Sequence, residues 1–142
     1  MSEGSEITGG CACGAVRYRA AGPPRLMLRC HCRDCQRASG AGHVAVMILP
    51  REAVALEGAL RFHATTGDAG HRVERGFCPD CGSPVLNRLE RLPAFVGLLA
   101  GSLDEPALFR PSADIYTASA PAWDVLAPDT AKHERGLPPR PA

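Results

Sequence analysis

Seven cysteines carry the chemical signal of this 142-residue chain. They fall in three tight groups: Cys11-Ala12-Cys13, then Cys30-His31-Cys32-Arg33-Asp34-Cys35, then Cys78-Pro79-Asp80-Cys81-Gly82. An odd count is a poor basis for a disulfide framework. The N-terminus MSEGSEITGG also lacks the basic and apolar regions of an export signal, so the expectation is a cytoplasmic, reducing setting in which clustered thiols ligate metal. A C-x-x-C turn lets two thiolates converge on one ion at about 2.3 Å while backbone N–H groups point at the sulfurs, and zinc takes four such donors in a tetrahedron. The Pro and Gly of CPDCG suit that turn.

Two pairs supply four thiolates, enough for a closed structural zinc, and the triplet supplies three. Structural zinc sites are closed, whereas catalytic ones keep a place for water or substrate. The natural division is therefore Cys11, Cys13, Cys78 and Cys81 for structure and Cys30, Cys32 and Cys35 for chemistry, with two Zn2+ per chain, the second the more labile. Spacing leaves alternatives: His31 or His43 could close a second site around the triplet, or the triplet could share ligands with the last pair.

The elements that must position these groups are short and β-like. Strand patterns run over Ala15–Ala20, Leu26–Leu28, His43–Leu49, Ala53–Leu56, Leu60–Thr65, His71–Phe77, Val85–Leu89, Phe95–Ala100 and Asp114–Ala118, bounded by Gly or Pro. One short helix is expected over Arg33–Ser39, broken by Gly40 and Gly42. The spacing predicts a single all-β domain, a sandwich or barrel, over residues 1–126, followed by a Pro-rich flexible tail over 127–142. Hydrophobic residues make up 45% of the chain and aromatic ones only 5%, so the core is thin and zinc must contribute to stability. No apolar run approaches the roughly 18 residues that span a bilayer. A net charge of +1 excludes the broad basic face of a general nucleic-acid or membrane binder.

The segments GGCACGAVRY, CHCRDCQRASG and FCPDCGSPV, in that order, resemble the glutathione-dependent formaldehyde-activating enzyme family, also called the centromere protein V domain family. The similar region covers roughly Gly9 to Trp123. The resemblance implies a twisted β-sandwich with a tent of strands around zinc. It assigns Cys11, Cys13, Cys78 and Cys81 to a structural ion and Cys30, Cys32 and Cys35 to a catalytic one. Toward the C-terminus the chain departs from the family pattern: Asp114-Ile115-Tyr116 and Ala120-Pro121-Ala122-Trp123 stand where the family often has His-Ile-Trp and Lys-x-Pro-Trp, and Gly42-His43-Val44 also differs.

A zinc held by three thiolates favours a further sulfur donor, so a substrate thiol is a reasonable fourth ligand. The expected function is a zinc-dependent carbon–sulfur lyase or thiol-adduct-forming enzyme acting on glutathione-type thiols. The other reading is a non-enzymatic zinc module that binds a protein or thiol partner. From Cys11 to Pro50 there are six arginines against the single acid Asp34, a bias that suits a carboxylate-bearing thiol. Arg33 and Arg37 are the substrate-binding candidates because they lie beside the triplet. Solvated strand faces are the plainer account of the other arginines, as fifteen of the sixteen cations are Arg. His31 lies between two ligands where its ring can point away from the metal, Asp114 could face the site, and Tyr116 and Trp123 suit core or pocket wall. Open strand edges leave room for a weak homodimer.

Overall fold

The computed structural model of the protein describes residues 6–67 and 70–138. Eleven strands are β1 (Glu6–Gly10), β2 (Arg17–Ala21), β3 (Leu26–Cys30), β4 (Val44–Pro50), β5 (Val54–Glu57), β6 (Arg61–Thr66), β7 (Arg72–Phe77), β8 (Pro84–Leu89), β9 (Phe95–Leu99), β10 (Ala113–Ile115) and β11 (Ala131–Lys132); the helix α1 is Arg33–Ser39. They form a three-stranded sheet, β1-β2-β5, and an eight-stranded sheet, β11-β10-β3-β4-β9-β8-β7-β6. Pairing is antiparallel throughout except that β10 runs parallel to both β3 and β11. The protein is all-β with one helix.

Period-two side-chain alternation explains how the sheets pack. In β2, Tyr18 and Ala20 are buried while Arg19 and Ala21 face out. Tyr18 and Ala20 join Ile7 of β1 against Met47 and Leu49 of β4, Leu86 of β8 and Val96 and Leu98 of β9, which makes the principal core between the sheets. The opposite face of β4 presents Val44, Val46 and Ile48 to a second cluster with Leu28 and Cys35. A continuous apolar run such as VAVMIL is therefore explained by burial on both faces of a central strand. The first face closes the sandwich, and the second carries α1.

The sequence pattern locates most strands to within a residue or two, and α1 occupies the expected span. Three differences have local causes. The sequence pattern does not signal the first strand, EITGG: strand formers are limited to Ile7 and Thr8 before two glycines, and the close approach of Tyr18 and the Ser102 carbonyl leaves no room for a Cβ at Gly9. The strand expected over Asp114–Ala118 stops at Ile115, because Tyr116 adopts φ +55° and turns the chain into a single 3-10 turn. Within the segment expected as a tail, residues 127–138 carry backbone pairing that the sequence does not signal. Its β11 pairs with the edge of β10, and the Tyr116 and Thr117 amides donate to the Arg135 and His133 carbonyls at 2.9 and 3.1 Å. Residues 139–142 of that segment lie outside the described residues, as does part of the expected Gly67–Gly70 turn. Among the described residues, no helix is long and apolar enough to cross a membrane.

Outside the core, one charged contact joins the small sheet to the loop after β9. Arg17 grips Asp104 with two nitrogens at 2.5 and 3.0 Å, and the Thr8 hydroxyl donates to the same carboxylate at 2.8 Å. Arg17 and then Thr8 hold the Asp104 carboxyl down at about 2, from an ordinary value of 3.8. A depressed carboxyl adds stability that is present above its unfolded value and lost as pH falls toward the folded one. Urea midpoints of Asp104→Asn should lie modestly below those of the parent at neutral pH, and the gap should close between about pH 4 and pH 2. A gap that is constant over that range would mean that the carboxylate charge does not carry the contact.

Candidate metal centres and the adjoining cleft

The first centre forms where two loops meet. The β1–β2 loop brings Cys11 and Cys13, and the β7–β8 turn brings Cys78 and Cys81; all four sulfurs lie within 4.8 Å of one another. Local turns explain the convergence. The Gly82 amide donates to the Cys78 carbonyl at 2.8 Å with Gly82 at φ +79°, a backbone state that favours glycine after the second Cys. The Val16 amide donates to the Cys11 sulfur at 3.2 Å, and the Ala12 amide to the Ser83 hydroxyl at 3.1 Å, which locks one loop onto the other. Cys11 and Cys78 are buried as part of the principal core, whereas Cys13 and Cys81 are exposed.

Hydrogen bonds from the Ser83 side chain and backbone favour the Cys81 thiolate and lower it to about 5. Although the Ala15 amide favours a Cys13 thiolate, the neighbouring Cys11 and Cys81 sulfurs push that thiol up to about 12. Crowded sulfurs can all be thiolates together only with a cation among them. Four thiolate donors of this kind fit zinc.

The second centre is built on the β3–α1 junction. Cys30 ends β3, Cys32 caps α1 and accepts from the Cys35 amide at 3.3 Å, and Cys35 lies in the first helical turn. Their three sulfurs also lie within 4.8 Å of one another. Hydrogen bonding by Cys30 and Cys35 lowers Cys32 to about 2, and bonding to Cys32 and Cys35 pushes Cys30 up. Three sulfurs this close form a donor set that fits a soft divalent cation with a fourth position left over. Gln36 fixes the helix: its amide donates to the His31 carbonyl at 2.8 Å and to the Ser119 carbonyl at 3.0 Å. Gly40, at φ +69°, caps the C-terminus.

An open cleft of about 990 Å³ adjoins this junction, lined by Arg37, His43, His63, Arg75 and Asn87 among others. Strand register explains three of these. His63 of β6, Arg75 of β7 and Asn87 of β8 are direct cross-strand partners, so they share one face of the large sheet. Arg75 reaches from that row to the Cys35 sulfur at 3.8 Å.

The six arginines of the N-terminal region divide by partner. Arg17 binds Asp104, Arg19 lies 3.4 Å from Glu6, Arg25 stacks over Phe95 at 5.3 Å, and Arg29 forms a forked contact with Asp114 at 2.9 and 3.1 Å. Arg33 donates to the Gln36 side chain and does not line the cleft, whereas Arg37 does. Arg75, which sequence reasoning passed over as one more strand cation, is the arginine that meets a triplet sulfur. Its signal is visible only through register, because β7 and α1 are separated by most of β4 to β6.

Neither His31 nor His43 closes the triplet. Their ring nitrogens gather instead on Asp124, which sequence reasoning did not single out. Asp114 is fully buried and receives His31 Nε2 at 2.8 Å, Arg29, and the Thr130 hydroxyl. Burial opposes its charge, but the bonds from His31, Thr130 and Arg29 more than offset that and hold the carboxyl well below the usual carboxylate range. Trp123 is not core or pocket wall, being 71% exposed.

A family model described as glutathione-dependent formaldehyde-activating enzyme matches residues 6–119. A Halomonas elongata protein with the name "Putative glutathione-dependent formaldehyde-activating enzyme" is 30% identical over 103 residues, which is 69% of this chain and 66% of that protein's length. A crystal structure of a Rhodobacter sphaeroides protein superimposes with a TM-score of 0.55 at 22% identity, over 68% of this chain and 87% of that one, and so shares its fold.

If the four-sulfur centre holds the fold and the triplet does the chemistry, the two should respond differently to loss of a ligand. Zinc-binding free energies in small domains run to about 10 kcal/mol or more, comparable with total domain stability. Cys78→Ser should therefore lower melting temperature and soluble yield far more than Cys32→Ser. Equal losses in both variants would dismiss the division.

Proposed function

The chain belongs to the glutathione-dependent formaldehyde-activating enzyme family, and from that premise we propose that it is a zinc-dependent enzyme that forms or breaks a carbon–sulfur bond on a glutathione-type thiol. The observation that carries this reading is the convergence of the Cys30, Cys32 and Cys35 sulfurs beside a cleft large enough for such a thiol, with Arg75 against Cys35. Zinc held there would lower the pKa of a thiol at its open position and balance the thiolate charge.

The protein's own groups would do the rest. Arg37 and Arg75 supply two guanidinium groups to the cleft, which suits a ligand with separated carboxylates, since each planar fork can take both oxygens of one carboxylate. Asn87, buried next to Arg75, can donate to and accept from the peptide groups of the ligand. The exposed His63 can pass a proton at its ring nitrogen. In the forward direction the sulfur adds to the carbonyl carbon of a small aldehyde, and the proton lost by the thiol ends on the new hydroxyl. The reverse breaks the carbon–sulfur bond and returns thiol and aldehyde.

Because such adducts also form without a catalyst, the test is exchange at equilibrium. NMR exchange rates between a thiol and its hydroxymethyl adduct should rise with the parent protein and return to the uncatalysed rate with Cys32→Ser. Arg75→Ala should raise KM about tenfold with a smaller effect on kcat, since a hydrogen bond to a charged group contributes about 1.5–3 kcal/mol. Undiminished exchange with Cys32→Ser would remove the mechanism.

A further inference from the structure

Beside the two sulfur centres lies a third convergence of ligand atoms with a different chemistry. His31 at the end of β3, His43 just before β4 and Asp124 in the loop after β10 each bring one atom to within 4.8 Å of the other two. His43 Nδ1 lies 2.7 Å from Asp124 Oδ2, and His31 Nδ1 lies 3.4 Å from the same oxygen. The His31 ring is fully buried, and its Nδ1 has no hydrogen-bond partner.

The other side of the His31 ring explains why that nitrogen matters. Its Nε2 meets Asp114 Oδ1 at 2.8 Å, and Asp114 is an acceptor held by Arg29, Thr130 and, at 3.7 Å, Lys132. Nε2 is thereby turned to Asp114, and Nδ1 is the ring nitrogen that faces Asp124. A buried ring nitrogen beside a carboxylate oxygen but without a hydrogen bond is unfavourable unless something positive lies between them. A carboxylate that orients the far nitrogen of a histidine is also the usual outer support of a metal-bound imidazole.

The neighbouring residues keep the same space open. A Cβ on Gly42 would come within 2.3 Å of Asp124 Oδ2 and 2.6 Å of its Cβ, so glycine at this position is what admits the carboxylate next to His43. The two rings are tilted by 55° with centroids 5.1 Å apart, which lets both nitrogens face a common point instead of stacking.

We propose that His31, His43 and Asp124 form a third metal site, for a divalent first-row transition ion, with Asp114 as the carboxylate that orients His31. Two imidazole nitrogens and one carboxylate oxygen are borderline donors, distinct from the thiolates of the other centres, and they suit zinc or cobalt with at least one position open to water or another oxygen ligand. His43 also lines the cleft, so one ligand of the proposed site borders it.

The experiment counts ions on the full chain, dialysed to equilibrium against zinc or cobalt. His43→Ala should bind one ion fewer than the parent, and His43→Gln, which keeps a polar contact to Asp124, should also lose that ion while remaining folded by circular dichroism. In the cobalt-loaded parent, the sulfur-to-cobalt charge-transfer bands should saturate before total bound cobalt does; the last equivalent adds only the weaker bands of nitrogen and oxygen ligation. Equal ion counts in parent and His43 variants, or charge-transfer bands that grow until the last ion binds, would overturn the site and leave a proton shared by His31 and Asp124. Loss of the triplet ion in Cys32→Ser is read separately in the charge-transfer bands, so failure of the proposed function and failure of this site give different spectra.

Discussion

The four-sulfur junction is the constraint on which the rest of the structure depends. It joins the β1–β2 loop of the small sheet to the β7–β8 turn of the large one, and its two buried members belong to the same cluster as Tyr18, Leu49 and Leu98. With aromatic residues at 5% of the chain, the space between the sheets is filled mainly by aliphatic side chains and few large rings. A metal held there would tie together residues 65 positions apart and fix the relative placement of the two sheets at the point where the core is open to solvent through Cys13 and Cys81. The contacts of Asp104 with Arg17 and Thr8 act at the same seam in a weaker, exposed form.

Fixing that seam also fixes the cleft. The cysteine turn of CPDCG leads directly into β8, and β8 and β7 in register present Asn87 and Arg75 on the face that carries α1. On the other side, β4 is the central strand whose second face packs beneath α1, and Gln36 ties the helix to both His31 and Ser119. The triplet is thus held by a helix of seven residues that could not be stable alone. Its geometry comes from β4 underneath and from the buried amide of Gln36.

What the sequence made legible follows the range of the interactions. Alternation, turn residues and cysteine spacing act over a few positions, and they located most strands, the helix span and the two sulfur groups. Register and long-range closure act between distant segments. Arg75 meeting Cys35, Asp124 meeting His31 and His43, and β11 completing the edge of β10 each join positions with no local signal to connect them. The pairing within residues 127–138 shows the same limit. Proline-rich composition argues against helix but does not prevent a two-residue strand from pairing once β10 offers an open edge.

The tripeptide Cys30-His31-Cys32 shows how one short stretch can serve two donor sets. Cys30 closes a strand and Cys32 is still extended at φ −66° and ψ 158°, so successive side chains leave the backbone on opposite sides. The flanking sulfurs turn toward Cys35, and the ring between them turns away into a fully buried place against Asp114. A histidine with both sulfurs as neighbours in sequence is therefore kept out of their coordination by the pleat itself. Inserting one residue between Cys30 and His31 would put the ring on the side that the Cys30 sulfur takes. The close C-x-C spacing at this junction, against the looser C-x-x-C on either side of a free turn, is what separates soft from borderline ligands in so small a volume.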